Sequence, residues 1–327
     1  MTDDFTRWGW RCAVSLVLAL HLPFAAFAQE WPKKTLTLVV GFAPGGAADT
    51  AARLVARKLQ DNLGQTVVVD NRAGAGGNIA HQFVARAEPD GATILLGSVG
   101  PLAIAPHLGK LGYDPQKDLA PLTMGMSFPN VLVVNPGVGA KTLAQYIDIA
   151  KQSPGKLDYA STGAGSASHL AGELLDQVAG IETVHVPYKG GAPALADLLA
   201  GRVAAFFSTW STAQPHVDAG RLIPLASTGL SRPSFLPNIP TVAESGYPGF
   251  NATNWYAFVA PAKVPLPILD RWQRELVKVL VTPEVRDELI KHGLTPAPGS
   301  REALAATIAA ESLAWGKLIR ARKIVGE

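Results

Sequence analysis

Cysteine is all but missing from this chain: Cys12 is the one instance in 327 residues. It falls in an N-terminal stretch that reads as a removable leader. Arg7 and Arg11 precede the apolar run Ala13–Leu20, and Ala26-Phe27-Ala28 forms a small-x-small cleavage site before Gln29. Cleavage after Ala28 would leave a mature chain without cysteine, which excludes disulfides, thiol catalysis and cysteine-bound metal together. Long hydrophobic runs are absent as well. His21 and Pro23 interrupt the apolar stretch well short of the ~20 residues that a membrane span needs, so export into the periplasm is expected rather than anchoring. Aromatic residues make up 7% and the net charge is only +3 with no basic cluster, which argues against nucleic acid as a partner. The histidines His81, His107, His185, His216 and His292 show no metal spacing, so no metal and no cofactor is expected.

Glycine loops between strands and helices are what the chain has in quantity. Leu36–Val40 reads as a buried strand, Phe42-Ala-Pro-Gly-Gly46 breaks it, and an apolar helical stripe begins at Ala51, Leu54, Val55 and Leu59. The device recurs twice. Val67–Asp70 leads into Asn71-Arg-Ala-Gly-Ala-Gly-Gly77, and Tyr159–Ser161 leads into Thr162-Gly-Ala-Gly-Ser166 before a helix from His169. Unpaired N–H groups at a helix start, together with the helix dipole, favour an anion there. Three such loops point to a small anion held by backbone amides. None is a nucleotide motif: Ile79 and Ser168 stand where a dinucleotide fingerprint has its last glycine, and Gly139-Ala-Lys141-Thr142 lacks the glycine before lysine of a phosphate loop.

Strand-like and helix-like segments alternate along the chain, which predicts α/β architecture with mainly parallel sheets flanked by helices. Pro101–Leu122 reads as irregular, and helices fill the tail after Pro261. With Val131–Val134 and Trp255–Val259 as the two crossings, lobe one comprises residues 29–130 and 255–327, and lobe two residues 131–254. The ligand cleft is expected between them.

The ordered series Gly41–Asp49, Asp70–Gly77, Ser161–Ser166 with His169-Leu170, Val186-Pro-Tyr-Lys-Gly190, Asp197–Val203, Pro237-Asn-Ile-Pro-Thr241 and Trp255…Pro261 resembles the substrate-binding family of tripartite tricarboxylate transporters, also called Bug proteins. The resemblance runs from about Trp31 to the C-terminus. It implies a monomeric periplasmic receptor of Venus-flytrap form. Such a receptor captures a small carboxylate and presents it to an inner-membrane transporter or sensor. Family loops that hold a carboxylate through main-chain groups match Phe42, Ala43, Pro44, Gly45, Gly46, Ala47 and Asp49, and Gly74, Ala75, Gly76, Gly77 and Asn78. Lobe two contributes the loop with Thr162, Gly163, Ser166 and His169, and the neighbourhood of Lys189 and Gly190. Ser98 joins them at a strand end.

Two positions depart from the family pattern: Ala204 replaces an acidic residue, and Trp210 is unexpected. An indole in the cleft would favour an aromatic carboxylate over an aliphatic di- or tricarboxylate, and core packing accounts for Trp210 equally well. Asp49 is read as a loop organiser at a helix start, and Lys189 as either cleft charge or solvated surface. The alternative from another class is a serine hydrolase using Ser166 and His169 with Asp176, although Gly-x-Ser-x-Gly is absent. The simpler reading makes Ser166 a helix cap and His169 a donor facing the cleft.

Overall fold

In a computed structural model, residues 31–324 are described. The leader and its cleavage site lie outside the described residues. From Lys34 on, the chain forms one compact unit. Its backbone is a ten-stranded sheet of order β2-β1-β3-β9-β4-β7-β5-β6, with β8 and β10 paired to β4.

The first part is built from β1 (Leu36–Val40), β2 (Val67–Asn71), β3 (Thr93–Ser98) and β9 (Thr253–Pro261). Strand β1 runs parallel to β2 and β3, with all its residues but Thr37 buried, as expected of a strand covered on both faces. Helix α1 (Ala47–Leu63) follows. It buries Ala48, Ala51, Ala52, Val55, Ala56 and Leu59 on one side and stops at Gly64, whose left-handed φ of 64° aims its N–H at the Gln60 carbonyl. Helix α2 (Asn78–Ala85) packs behind β3.

The second part holds β5 (Asp158–Ser161), β6 (Val184–Pro187), β7 (Ala205–Thr209) and β8 (Ile223–Ser227), with α3 (Leu143–Gln152), α4 (Ala167–Ala179), α5 (Gly191–Leu199) and α6 (Trp210–Asp218) between them. Strand β5 is parallel to β6 and β7. The tail returns to the first part through α7 (Leu266–Val281), α8 (Pro283–Lys291), β10 (Thr295–Pro296) and α9 (Arg301–Arg322). Trp272 of α7 is fully buried and donates its indole N–H to the Gly91 carbonyl at 2.9 Å.

Strand β4 (Leu119–Val134) joins the two parts. Its first stretch pairs with β9 and β10, and residues Asn130–Val134 pair with β7 and β8. All of these pairings, and β3 with β9, are antiparallel. Parallel and antiparallel pairings thus occur together, and each part is a mixed sheet. Only Val131–Val134 of this strand stands out in the sequence, because Pro121, Gly125 and Pro129 disguise the rest. Pro121 is tolerated because the register with β9 slips between Pro121 and Thr123, where ladder bonds are interrupted anyway, and a second slip surrounds Gly125 between Met124 and Met126. Gly125 leaves space for Phe258: an added Cβ would lie 3.0 Å from its ring.

Candidate ligand-binding site

Five loops, after β1, β2, β3, β5 and β6, converge at the ends of these strands. After β1, the loop Phe42–Gly46 is braced by Asp49, which accepts the Gly45 N–H at 3.1 Å and the Arg53 Nε–H at 3.0 Å. Burial pushes the Asp49 carboxyl up, but Arg53 and the Gly45 N–H outweigh it and hold the group below its usual range. Oδ2 takes both of these hydrogen bonds and Oδ1 lies 2.9 Å from the Arg53 guanidinium in an ion pair, so Asp49 organises the loop. Asn71 of β2 donates to the Phe42 carbonyl at 3.0 Å.

After β2, Gly74, Ala75, Gly76 and Gly77 all adopt positive φ. The loop closes through Gly77 N–H to the Gly74 carbonyl at 2.9 Å and Asn78 Nδ2 to the Ala75 carbonyl at 2.7 Å. Buried His81 bonds the Gly77 carbonyl through Nδ1 at 2.9 Å. After β5, Ser166 caps α4, its Oγ accepting the His169 N–H at 3.3 Å. Ser168 Oγ accepts the Thr162 N–H at 2.9 Å and lies 3.1 Å from Ser166 Oγ.

These loops touch across the junction. The Ala43 N–H donates to the Lys189 carbonyl at 3.1 Å. A Cβ on Gly76 would lie 2.2 Å from the Ala164 carbonyl oxygen, one on Gly163 2.7 Å from the Gly76 nitrogen, and one on Gly100 2.7 Å from the Gly165 oxygen. The glycines therefore let one backbone approach another. Two amides expected to bind an anion, those of Ala43 and Gly45, are spent on Lys189 and Asp49 in this conformation.

Beneath the loops, Phe42, Ser98, Asn130, Thr162, Ser166, Ala167, Ser168, Phe207, Thr209, Asn254 and Tyr256 line a cavity. About 20 Å³ is open to the centre of a water molecule, room for one or two waters rather than an organic acid. Eight of the lining residues carry a hydroxyl or an amide, and no charged side chain is among them. Burial raises the Tyr256 phenol above its ordinary range, so it stays protonated as a neutral donor.

Of the residues expected from sequence, Phe42, Ser98, Thr162 and Ser166 reach this cavity. Ala43, Pro44, Gly45, Gly46, Ala47, Gly74, Gly76, Gly77, Gly163 and Gly190 belong to the loops above it. Ala75 and Asn78 face a separate groove beside Tyr113. Gly46 has a φ of −89°, and a Cβ there would meet only ordinary contacts at 3.8 and 3.9 Å. The side chain of Lys189 is exposed. Trp210 is buried among Val131, Val133, Leu198, Phe206, Leu222 and Leu236 and so packs the core. His169 points away from the cavity: its Nδ1 accepts the Gly165 N–H at 3.1 Å and its ring stacks on His185 at 3.8 Å. Asn130, Ala167, Ser168, Phe207, Thr209, Asn254 and Tyr256 line the cavity as well and are not singled out by the sequence. The available signal is an asparagine directly before each of the two apolar segments, Val131–Val134 and Trp255–Val259.

The hydrolase arrangement is not formed. Ser166 Oγ bonds the backbone of His169, not its ring, and Asp176 is engaged by Thr183 at 2.9–3.0 Å. Among the described residues no acidic, histidine or cysteine cluster fits a metal ion, and no helix is long and apolar enough to cross a membrane.

A family model described as the tripartite tricarboxylate transporter family receptor matches residues 51–324. The chain belongs to this receptor family. BugT of Bordetella pertussis (strain Tohama I) is 37% identical over 295 residues, covering 90% of each chain. Among solved structures, R. palustris Rpa4515 with adipate superposes with a TM-score of 0.87 at 35% identity, covering 90% of this chain and 99% of that one. MatC (Rpa3494) from Rhodopseudomonas palustris with bound malate gives 0.84 at 30%, covering 88% and 100%. The fold is thus that of the two-lobed periplasmic solute-binding proteins.

In this family member, stacked imidazoles hold the Thr162–Ser166 loop. His169 serves Gly165, and His185 Nε2 lies 2.6 Å from Ser161 Oγ, which in turn accepts the Gly163 N–H at 3.0 Å. Burial depresses His169, opposed by the nearby Glu173. Burial and His169 push His185 down to about 3, and burial alone puts His81 at about 4. All three are shifted toward the neutral form when folded, yet take up protons near pH 6.5 when unfolded. The unfolded state binds more protons below that point, so stability falls as pH drops from about 6.5 towards 4. Asp176, raised to about 6 chiefly by burial, and Glu311, also raised by burial, work in the opposite direction and offset part of this. We expect the unfolding free energy to fall by on the order of a few kcal/mol between pH 7 and 4.5. Thermal midpoints across that range check this, and a flat profile would contradict it.

Proposed function

We propose that this receptor captures a small carboxylate between its lobes and presents it to an inner-membrane transporter or sensor. The observation that carries the reading is a cavity at the sheet junction lined by neutral hydroxyl and amide donors. Each hydrogen bond to a carboxylate is worth about 1.5–3 kcal/mol, so three or four meet the ~8 kcal/mol of a micromolar complex without an arginine. Adipate in Rpa4515 and malate in MatC support an aliphatic acid with oxygens at both ends, and Trp210 in the core removes the reason for preferring an aromatic one.

In this reading lobe one is residues 29–130 with 255–327, lobe two is 131–254, and the protein acts as a monomer. The loops part to admit the acid and meet again over it. The contacts of Ala43 with Lys189 and of Gly76 with Ala164 are those of the closed state. Ser166 and His169 serve the loop rather than catalysis.

Native mass spectrometry of protein released gently from the periplasm tests two parts of this proposal. The expected spectrum shows a chain beginning at Gln29, carrying one small acid that dissociates on activation. A chain retaining residues 1–28 would overturn the export reading. Failure of added dicarboxylates to bind after refolding would overturn the ligand class.

A further inference from the structure

Asn130 sits where the two parts of the sheet meet, on the floor of the cavity, and is 1% exposed. Its backbone is fixed by Thr228: its N–H donates to Thr228 Oγ1 at 2.9 Å, and its carbonyl accepts the Thr228 N–H at 2.9 Å. Its side-chain Nδ2, by contrast, is buried with no hydrogen-bond partner. The orientation of the amide follows from its neighbour. The Trp255 backbone N–H can only donate, and it donates to Asn254 Oδ1 at 2.8 Å. That turns Asn254 Nδ2 toward Asn130 Oδ1, at a long 3.5 Å, and leaves Asn130 Nδ2 as the open donor. A buried donor without a partner is costly, and in a native protein it calls for an explanation.

We propose that the Asn130 carboxamide selects acids that bring a second acceptor oxygen, a distal carboxylate, hydroxyl or keto group, over monocarboxylates with a bare apolar tail. The inference rests on the carboxylate reading above and adds to it the residue that sets the ligand's second requirement. The floor strands supply Asn130, Asn254, Thr209 and Tyr256, whereas the walls supply Phe42 and Ser166 from opposite lobes. An acid held at the walls that reaches the floor meets the Asn130 N–H. An acceptor there satisfies the donor. A methyl group there leaves it unpaired, and a site built to hydrogen-bond rejects analogues that lack the partner.

Calorimetry on the mature full chain with chain-matched pairs tests the assignment: succinate against butyrate, adipate against hexanoate, with malate as a hydroxy-diacid. Wild type is expected to prefer each diacid to its monoacid. Asn130→Leu, of similar size but without the donor, is expected to lose about tenfold or more for the diacids. Its monoacid affinity should hold or rise, so that the ratio collapses. Asn130→Asp keeps the shape and replaces the donor by an acceptor-only carboxylate at pH 8, so it should weaken diacids at least as much. It decides the matter if the leucine variant fails to fold. An unchanged diacid-to-monoacid ratio in a folded variant would overturn the role of Asn130. Wild type that binds none of the five acids would instead overturn the carboxylate reading, and this assignment with it.

Discussion

Gly76→Ala is expected to abolish tight acid binding while the two sheet halves stay folded. The residue has a φ of +61°, and its added Cβ would lie 2.2 Å from the Ala164 carbonyl oxygen and 3.3 Å from the carbonyl carbon. Both atoms are backbone, so no side chain can swing away, and the loop after β2 must retreat from the loop after β5. Two costs separate cleanly. Left-handed strain of about 1–2 kcal/mol is present whether the lobes are open or closed, so it lowers stability without touching affinity. The clash exists only when the loops meet, so it falls on the bound state.

Gly45 provides the control. Its φ is +84°, but a Cβ there meets nothing within 4 Å, so Gly45→Ala should lose similar stability and keep its affinity. Gly46→Ala, at φ −89°, should lose neither. For Gly76→Ala we expect a loss of about 3 kcal/mol in binding, on the scale of one or two charge-assisted bonds. Small-angle scattering should show wild type compacting on addition of a dicarboxylate and Gly76→Ala remaining expanded. Indistinguishable affinities for the Gly76 and Gly45 variants would mean that closure does not run through this contact.

The contrast between these glycines marks where sequence reading reaches its limit. Strand, glycine turn and amphipathic helix are local patterns. Leu36–Val40, the helix from Ala47, the Ser166 cap and the bracing by Asp49 were therefore legible from residue types and spacing. What each glycine makes room for is a tertiary fact. Gly45-Gly46 and Gly76-Gly77 look alike in one dimension, and only the fold reveals that Gly76 faces Ala164 while Gly46 faces nearly open space. The same limit hid the cavity floor. Asn130 and Asn254 belong to β4 and β9 but lie just outside the apolar segments that stand out in the sequence, and only strand pairing brings them together. His169 was misread for a related reason. Helical spacing from Ser166 puts the two on one face, but the Gly165 N–H turns the imidazole inward to stack on His185.

Trp210 is the residue on which the choice of ligand turned, and its replacement should separate packing from recognition. The side chain is 9% exposed, opens helix α6 directly after the cavity residue Thr209, and packs against Leu222, Leu236 and Ile239. Gly293, at the end of α8, accommodates it from the other side: a Cβ there would lie 3.0 Å from Trp210 Cβ. Since Gly293 belongs to the returning tail and Val131 and Phe206 to the second part, the indole fastens the tail to that part. Truncating a buried tryptophan to alanine removes that packing and leaves a hole, at a cost of about 3–5 kcal/mol. Trp210→Ala should therefore unfold at a markedly lower denaturant midpoint. Because the indole does not line the cavity, the order of preference among succinate, malate, adipate and benzoate should be that of wild type, measured well below the new midpoint. Trp210→Phe, which keeps an aromatic ring in the core, should recover much of the stability. A variant of near wild-type stability that loses or gains benzoate binding would move Trp210 from the core into the ligand's surroundings and restore an aromatic acid as the expected cargo.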